Sequence, residues 1–395
     1  MAHEYVIDLG MSVPSEFAAD VEDRLAYAHR DIERIDVVVA DRRHVRVTAT
    51  AELDISWLQP VLATNAAEML KASHEGTRIV LHDRRDARPA PTASAFPELV
   101  ARGWVRPTSH GSFALLGPAL RLRRALDAIF RTISLDMGAE EVELGSLMEM
   151  DTLRRAGHFN ASPQHITLPS HLSEDLEYLK HVADVARQED VDIEPTCAGH
   201  LETQGAVLAP AVCYNCYHLL RGQSIEGTRT FAAANTCYRY ESGRMDSLAR
   251  LWAFTMREAI FVGPPEGVKA QRADALARMW DLTERWNLHA WVENANDPFF
   301  IGEFDSRAAF QRGREMKYEL RLSVAGDFAV AATSFNLHSA TFGRSFDMRR
   351  ADNGRPACSA CCAWGEERWV LALFSQFGYD PASWPDELRP AVWGD

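Results

Sequence analysis

The sequence predicts an α+β fold, in which an antiparallel sheet is flanked by helices and preceded by a smaller α/β unit. From residue 229 onward, long runs with strand-like composition follow one another, separated by polar turns and one helical segment. The chain then continues into an apolar helix that Gly378 ends. Long antiparallel strands followed by a terminal helix are typical of the α+β class.

Residues 1–82 are expected to form the smaller α/β unit, and the pattern of their apolar residues predicts its elements. These are a strand at 5–9, a helix at 15–33, a hairpin of strands 35–40 and 44–50, a helix at 54–73, and a strand at 78–82 that closes the sheet. The region that follows is rich in proline, alanine and charge, and residues 83–109 are therefore predicted to be a linker.

Residues 110–395 are predicted to form a larger domain. Its first helix is expected to begin near Pro118 and to end at Gly138, because proline is favoured in the first turn and glycine just after the last. The elements expected after it are a helix at 173–188, a hairpin of strands 229–241 and 251–263, a helix at 267–288, and strands at 317–324 and 328–336.

Composition narrows the class of protein. The chain has 395 residues, 47% hydrophobic and 25% charged, which suits a globular protein with a substantial core. No apolar run approaches the ~18 residues that span a bilayer, and the N-terminus lacks the pattern of a secretory signal, so we expect a cytoplasmic protein. The formal net charge of −14 disfavours broad, nonspecific nucleic-acid binding, which depends on cationic side chains.

The predicted hairpin carries charged and aromatic side chains on shared strand faces. Because side chains alternate along a strand, Arg239 and Glu241 share one face, and Phe254, Met256 and Glu258 share a face of the returning strand. A guanidinium, carboxylates and an aromatic ring suit a nucleotide, through phosphate contact, a hydrogen bond to the adenine amino group and ring stacking. A solvated sheet face with cross-strand ion pairs has the same pattern, and the residue types alone leave both interpretations open.

The cysteines suggest a metal site or buried thiols rather than a disulfide framework, because the chain is long and shows no export signal. The pairs Cys213–Cys216 and Cys358–Cys361 have the spacing of a closed, four-cysteine structural zinc site. For any single cysteine, a role as a buried small apolar residue is the more common one.

Eight stretches, in order along the chain, identify a family resemblance. The chain resembles class II aminoacyl-tRNA synthetases, and more closely the amino acid:[carrier protein] ligases, which are related to atypical seryl-tRNA synthetases. The resemblance runs from about residue 110 to the C-terminus. The stretches are LMEMDTLRRAGHF (147–159), LAPAVCYNCY (208–217), TCYRYES (236–242), LARLWAFTMREAIFVG (248–263), NANDPFF (294–300), KYELRL (317–322), SFNLHSATFG (334–343) and CCAWGEERWVLALF (361–374).

The resemblance implies an ATP site built from the class II sequence motifs. Residues 236–263 would be motif 2, residues 361–374 would be motif 3, and the helix that begins near Pro118, with its following strand, would be motif 1, which usually builds a homodimer interface. Arg239 would then hold the α-phosphate and Glu241 the adenine amino group, while Phe254 and Arg368 would sandwich the adenine ring.

Further roles follow from the same resemblance. Arg368 would also lie near the γ-phosphate, and Arg239, Arg368 and magnesium would neutralise charge during catalysis. Glu319 and Asn336 would belong to the magnesium–phosphate end of the site, and Asp297 would face the amino-acid pocket.

The resemblance also implies a zinc ion held by Cys213, Glu258 and Cys361. Three protein ligands leave a fourth position open, as reactive zinc sites require, and an amino group of the substrate suits that position. Glu258 favours this open site over the four-cysteine alternative, because a structural cysteine site has no use for a carboxylate. The stretch CSACCAWGEERW (358–369) would then hold both a metal ligand, Cys361, and a nucleotide ligand, Arg368.

The implied reaction is ATP-dependent activation of an amino acid to its aminoacyl-adenylate, followed by transfer to the phosphopantetheine thiol of a carrier protein. Two alternatives stay open: a tRNA-charging, seryl-tRNA synthetase-like enzyme, and a noncatalytic regulator that keeps the synthetase fold. We expect tRNA to be the less favoured acceptor, because residues 1–82 mix acids with arginines and lack a clear cationic character. The regulator is disfavoured because Arg239, Glu241, Phe254 and Arg368 are all present.

Overall fold

The computed structural model describes residues 3–74, 79–241, 245–295 and 316–394. Its strands are β1 His3–Asp8, β2 Ile32–Val37, β3 His44–Ala49, β4 Val80–Asp83, β5 Val105–Ser109, β6 Ser112–Leu115, β7 Glu140–Glu141, β8 Leu147–Glu149, β9 His171–Leu172, β10 Leu201–Glu202, β11 Ala206–Leu208, β12 Ser224–Ile225, β13 Arg229–Tyr238, β14 Ala253–Gly263, β15 Ala290–Asn294, β16 Lys317–Ala325, β17 Phe328–Ser339, β18 Arg349–Arg350 and β19 Cys358–Gly365.

The helices are distributed along the whole chain. They span Ala18–Leu25, Ile55–His74, Phe96–Ala101, Gly117–Asp136, Met150–Arg155, His158–Ala161, Leu176–Val185, Glu194–Ala198, Cys213–Leu219, Pro265–Arg285, Thr341–Ser345, Glu366–Phe377 and Arg389–Trp393. In the described ranges, no helix combines the length and apolar character needed to cross a membrane.

One eight-stranded sheet organises the larger domain, with its strands in the order β4-β15-β16-β17-β19-β14-β13-β7. All neighbours pair antiparallel except β13 and β7, which pair parallel. The strands therefore pair across long separations in sequence, and helices cover the sheet. This arrangement confirms the predicted α+β class.

The main core lies between this sheet and three long helices, Gly117–Asp136, Pro265–Arg285 and Glu366–Phe377. Trp364 on β19 is fully buried, stacks on Phe130 at 5.2 Å between ring centroids, and donates its indole N–H to the sulfur of Met279 at 3.1 Å. Alternate residues of β19 thus face the helices, which leaves the other residues for the opposite face of the sheet.

The first part of the chain has its own core. Strands β1, β3 and β2 form a three-stranded antiparallel sheet, and the helix Ile55–His74 packs Leu58 and Leu62 into the same cluster as Val45 and Val47. The predicted hairpin 35–50 and the helix at 54–73 are confirmed in this arrangement. The predicted helix 15–33 is shorter, Ala18–Leu25 after a 3-10 turn, because the alternating residues from Ile32 onward enter β2.

The prediction that residues 78–82 close the N-terminal sheet is wrong. Strand β4 instead pairs with β15 at one edge of the eight-stranded sheet, with Val292 opposite His82. The predicted linker 83–109 also contains ordered structure, because the helix Phe96–Ala101 buries Leu99, and Val105 enters the main core. Segments near a domain boundary can therefore supply parts of the larger core.

Two glycines mark helix ends where the sequence predicts them. Gly138 follows the helix Gly117–Asp136 with φ of +78°, and Gly378 caps the helix Glu366–Phe377 with φ of +68°. Only glycine adopts positive φ readily, so both positions stop a helix at low conformational cost.

Candidate active site

A cavity of about 760 Å³ lies on the side of the large sheet that is opposite to the main core. Phe254, Met256 and Glu258 of β14 all line it, as the alternation of side chains along that strand predicts. The structure brings together in this cavity all of the predicted site residues that it describes. They are Cys213, Arg239, Glu241, Phe254, Glu258, Glu319, Asn336, Cys361 and Arg368. Asp297, predicted for the amino-acid pocket, lies outside the described residues.

Arg239 lies just after the end of β13, against the ring of Phe254 on the paired strand. The guanidinium carbon is 5.4 Å from the Phe254 ring centroid, and Nε donates to the carbonyl oxygen of Pro210 at 2.8 Å. These contacts orient the guanidinium into the cavity and keep it beside an aromatic face. A cation and a ring in contact can bind a phosphate and stack a base at neighbouring points.

Glu241 and Arg250 lie on the connection between β13 and β14 and form an ion pair, with 3.1 Å between the Glu241 carboxylate and Arg250 Nε. The Glu241 side chain is 19% exposed, so its carboxylate faces the cavity rather than bulk solvent. An oriented carboxylate of this kind can accept a hydrogen bond from an exocyclic amino group.

Arg368 is anchored at the start of the helix Glu366–Phe377 by two backbone carbonyls. Its Nε donates to Ala249 at 2.8 Å, and its Nη1 donates to Ala331 at 3.1 Å. Burial lowers the pKa of this guanidinium below its usual value, and the carboxylate of Glu241 opposes that shift. The fixed cation therefore lies in the same cavity as Glu241 and Phe254.

Glu319 on β16 is a nearly buried carboxylate between two cations. Lys317 Nζ lies at 3.1 Å from one carboxylate oxygen, and Arg321 Nη2 lies at 2.8 Å from the other. Burial would raise the pKa of Glu319, but the charges of Lys317 and Arg321 hold it below its ordinary value. Glu319 is therefore ionised, as a ligand for a divalent cation must be.

Cys213, Glu258 and Cys361 form a compact cluster of possible metal ligands. Their ligand atoms all lie within 4.8 Å of one another, and all three residues are buried. Cys213 comes from the first turn of the helix Cys213–Leu219, Glu258 from β14, and Cys361 from β19. Glu258 and Cys361 approach because β14 and β19 are paired, with Ala363 opposite Glu258 and Ile260 opposite Cys361.

The hydrogen bonds of this cluster leave one ligand atom unused. Glu258 Oε1 accepts from the backbone N–H of Val212 at 2.9 Å and from that of Cys213 at 3.4 Å, whereas Glu258 Oε2 is buried and has no hydrogen-bond partner among the described residues. The Asn336 amide donates to the sulfur of Cys361 at 3.4 Å. Burial raises the pKa of Glu258, and contact with Cys361 together with burial raises that of the Cys213 thiol. Two thiols and an unsatisfied carboxylate oxygen form a donor set that fits zinc.

Cys216 and Cys358, the other members of the CxxC pairs, are not part of this ligand cluster. Cys358 and Cys361 are an odd number of residues apart on β19, so their side chains leave opposite faces of the sheet, and Cys358 packs against the main core. Cys216 is buried in the apolar cluster that also contains Cys213 and Cys361, but it is not among the residues whose ligand atoms lie within 4.8 Å of one another, and burial raises its pKa to about 12. Among the described residues, the cluster suited to a metal is the one with Glu258.

Sequence reasoning overlooked the two glutamates beside Arg368. Both oxygens of Glu367 accept from the backbone N–H of Thr255, at 3.0 and 2.9 Å. This side chain therefore links the start of the helix Glu366–Phe377 to β14. Glu366 is fully buried and accepts from Arg123 at 2.7 Å. The sequence GEERW carries both residues, but their acidity at the start of a helix gives the same pattern as an ordinary N-terminal turn.

Four residues of the N-terminal unit also line the cavity, and nothing in the sequence indicated this. They are Phe17, Arg24, Tyr27 and Met69. The contact depends on how two separately folded parts of the chain meet, which local sequence patterns do not encode.

Comparison with known proteins agrees with the family resemblance. No protein-family model matches the chain. The chain is 35% identical over 186 residues to amino acid–[acyl-carrier-protein] ligase 1 of Bradyrhizobium diazoefficiens, an alignment that covers 46% of this chain and 56% of that protein. It is 26% identical over 317 residues to a type-2 serine–tRNA ligase of Methanococcus maripaludis, covering 76% of this chain and 60% of that protein. Both are named ligases, and the aligned part of each is less than two thirds of its length.

Solved structures confirm the class II synthetase fold. The M. kandleri seryl-tRNA synthetase, crystallised with A. aeolicus tRNASec, matches with a TM-score of 0.71 at 19% identity, covering 99% of this chain and 77% of that one. The seryl-tRNA synthetase of Pyrococcus horikoshii, complexed with ATP, matches with a TM-score of 0.59 at 12% identity, covering 86% and 80%. At these identities the likeness establishes the fold alone.

Proposed function

We propose that this chain is an ATP-dependent amino acid ligase that forms an aminoacyl-adenylate and transfers the acyl group to the phosphopantetheine thiol of a carrier protein. The observation that carries the proposal is a single cavity that contains both Arg239, Glu241, Phe254 and Arg368 and the cluster around Glu258. A nucleotide site and a site for an amino group therefore share one space, as a reaction between their ligands requires.

The first step joins the amino acid to AMP. A carboxylate oxygen of the amino acid attacks the α-phosphorus of ATP, a new P–O bond forms, and the bond to the β-phosphate oxygen breaks to release pyrophosphate. No side-chain nucleophile is needed, so the protein contributes orientation and charge neutralisation. Arg239 holds the α-phosphate, and Arg368, fixed by two carbonyls, approaches the γ-phosphate and one adenine face.

The adenine ring lies between Phe254 and Arg368 in this proposal, and Glu241 accepts its amino hydrogen. Magnesium at the phosphate end belongs to the proposal too. Glu319 is ionised between Lys317 and Arg321 and is suited to a divalent cation. Asn336, which contacts Ser334 and the sulfur of Cys361, would connect that end to the cluster of Cys213 and Glu258.

Zinc would be held by Cys213, Glu258 and Cys361. Their donor set and the unsatisfied oxygen of Glu258 fit the ion, and three protein ligands leave one position for a neutral amino group of the substrate. When bound, the ion supplies a Lewis acid that fixes this amino group and lowers its pKa. Glu258 itself keeps the helix Cys213–Leu219 in position through its bonds to the N–H groups of Val212 and Cys213.

The second step moves the acyl group to the acceptor. The thiol sulfur attacks the acyl carbonyl, a thioester bond forms, the bond to the AMP phosphate oxygen breaks, and the thiol proton is released to solvent. The proposal has three further parts. Asp297 would lie in the amino-acid pocket, the helix Gly117–Asp136 would contribute to a homodimer interface, and the protein would be cytoplasmic. The division into a small N-terminal unit and a larger domain belongs to it too, with the boundary placed before β4, because β4 pairs with β15 and Leu99 and Val105 enter the main core.

A tRNA-charging enzyme is the second candidate. The alignment with the type-2 serine–tRNA ligase of Methanococcus maripaludis covers 76% of this chain, against 46% for the carrier-protein ligase, and this favours tRNA as an acceptor. The higher identity of the carrier-protein ligase and the net charge of −14 favour the thiol. A noncatalytic regulator is disfavoured by the intact set of Arg239, Glu241, Phe254 and Arg368.

The test separates the two half-reactions. ATP–pyrophosphate exchange is measured with each of the twenty amino acids, and the active one is then offered to a phosphopantetheinylated carrier protein and, separately, to total tRNA. The proposal expects exchange with one or a few amino acids and thioester formation on the carrier. If no amino acid supports exchange, the proposal that the chain is an adenylate-forming enzyme is refuted. If tRNA is charged efficiently and the carrier protein is not, tRNA is the acceptor and the carrier-protein part of the proposal is wrong.

A further inference from the structure

The wall of the active-site cavity is completed by the N-terminal unit. Phe17, Arg24, Tyr27 and Met69 line the same cavity as the nucleotide-binding residues of the larger domain. The unit has its own three-stranded sheet and its own core, so these four side chains reach the cavity from outside the large sheet. Their presence in the cavity calls for a functional explanation.

The N-terminal unit meets the larger domain at the motif 2 segment. The Tyr27 hydroxyl donates to the backbone carbonyl of Tyr240 at 3.5 Å, and Tyr240 lies between Arg239 and Glu241. Tyr27 also donates its backbone N–H to the carbonyl of Arg24, which places both residues on one backbone turn at the end of the helix Ala18–Leu25. The N-terminal wall therefore lies beside the point where the activated acyl group would form.

The cations of the larger domain that line the cavity are already held by groups of that domain. Arg239 and Arg368 donate to backbone carbonyls, Arg250 pairs with Glu241, and Lys317 and Arg321 pair with Glu319. Arg24 adds a cation from the N-terminal unit to this cavity, and one of its contacts is an ion pair of 3.3 Å with Glu68, whose side chain is 58% exposed. An ion pair with an exposed carboxylate contributes little, whereas a phosphate in the cavity would form a charge-assisted hydrogen bond with the same guanidinium.

We propose that this wall binds the phosphopantetheine arm of the acceptor, with Arg24 contacting its phosphodiester and Phe17, Tyr27 and Met69 contacting its apolar body. The inference rests on the proposed function. The arm has a thiol at one end and a single phosphodiester at the other, with a dimethyl group and two amides between them. A wall with one cation and three largely apolar side chains matches that sequence of groups.

The same composition disfavours a nucleic-acid 3′ end at this wall. Such an end brings several phosphates, each of which is neutralised by a cation when a protein binds it. Among the described residues of the N-terminal unit that line the cavity, Arg24 is accompanied only by Phe17, Tyr27 and Met69. Arg24 is the residue through which this wall would select an acceptor arm that carries a phosphodiester.

The experiment compares two small thiols that differ by a phosphate. Acyl transfer by the full-length enzyme is measured as thioester formed on pantetheine and on 4′-phosphopantetheine, and ATP–pyrophosphate exchange is measured in parallel. We expect Arg24→Ala to raise the KM for 4′-phosphopantetheine at least 10-fold, with the KM for pantetheine and the exchange rate unchanged. Arg24→Lys should recover part of the loss, because it restores the charge without the forked geometry.

Arg46, an exposed arginine on β3 of the same unit, provides the matched control, and Arg46→Ala should change none of these values. An unchanged KM for 4′-phosphopantetheine in Arg24→Ala, an equal rise of the KM for both thiols, or a loss of exchange would overturn the inference while leaving the proposed ligase intact. Transfer by the wild-type enzyme to tRNA, with both thiols inert, would overturn it as well. A wild-type enzyme without any exchange would instead refute the proposed function itself.

Discussion

Replacing Glu258 by glutamine tests the cluster of Cys213, Glu258 and Cys361 with little disturbance to the fold. In the wild-type protein Glu258 accepts from the N–H of Val212 at 2.9 Å. In Glu258→Gln the side-chain carbonyl can accept the same hydrogen bond, and the volume of the side chain is conserved. Glu258→Ala, by contrast, leaves the N–H groups of Val212 and Cys213 buried without an acceptor, at about 1–3 kcal/mol each. The glutamine variant therefore separates metal binding from folding.

The expected loss of zinc affinity in Glu258→Gln follows from the number of protein ligands. Zinc bound by a protein site of this kind contributes about 10–16 kcal/mol, so one ligand of three accounts for roughly 3–5 kcal/mol. At ~1.4 kcal/mol for each factor of ten, Glu258→Gln should weaken zinc binding by about 100-fold or more. Zinc content per subunit, and competition against a chromophoric chelator, measure both the stoichiometry and the affinity.

The controls are the two cysteines of the CxxC pairs that do not belong to the ligand cluster. Cys216→Ala and Cys358→Ala should retain one zinc per subunit and most of the activity, because neither side chain is part of the cluster with Glu258. Cys213→Ala and Cys361→Ala should lose the metal. If Glu258→Gln keeps full zinc affinity while Cys216→Ala and Cys358→Ala lose it, the three-ligand site is wrong and a four-cysteine site replaces it.

Three further predictions concern single side chains. Arg368→Ala should lower ATP–pyrophosphate exchange by about 10²–10³-fold with an unchanged circular dichroism spectrum, as expected for a fixed cation at a charged transition state, and near-normal exchange would remove Arg368 from the site. Phe254→Ala should raise the KM for ATP about 2- to 10-fold, since a stacked ring contributes about 0.5–1.5 kcal/mol, and an unaltered KM would exclude the ring from adenine binding. Burial, and then the charge of Asp127, raise the pKa of Glu366 to about 9, so the folded protein keeps a proton that the unfolded chain has released. The free energy of unfolding should therefore fall by about 1.4 kcal/mol per pH unit as pH rises from the ordinary pKa of a glutamate toward 9. Glu366→Gln should flatten this slope in urea unfolding at pH 6 and 8, and equal slopes in the variant and the wild type would contradict the buried proton.

The parts of the fold that were predictable depend on local periodicity. Alternation along β14 correctly predicts that Phe254, Met256 and Glu258 share one face, because the side-chain period of a strand does not depend on its partners. The start and end of the helix Gly117–Asp136 follow from Pro118 and Gly138 for the same local reason.

The parts that failed depend on contacts between distant segments. The strand 78–82 has a clear strand pattern, but its partner is β15, more than 200 residues away, and the pattern does not name a partner. The approach of Cys213 to Cys361 likewise arises from tertiary packing, and its prediction came from family resemblance rather than from spacing. The inward position of Arg24 had no signal in the sequence at all.

The attachment of β4 determines where this protein can be shortened. The rings of His82 and Trp280 stack with 4.8 Å between their centroids, and the backbone N–H of Ile79 donates to the side chain of Asn294 at 2.8 Å. Residues 79–83 are therefore a structural part of the larger domain. A fragment that starts at residue 84 would leave the backbone groups of β15 unpaired along a sheet edge, which invites intermolecular strand pairing and aggregation. A fragment that starts at residue 79 keeps β4 paired with β15. Arg84 and Arg85 follow β4 directly, and their charges oppose the addition of another strand.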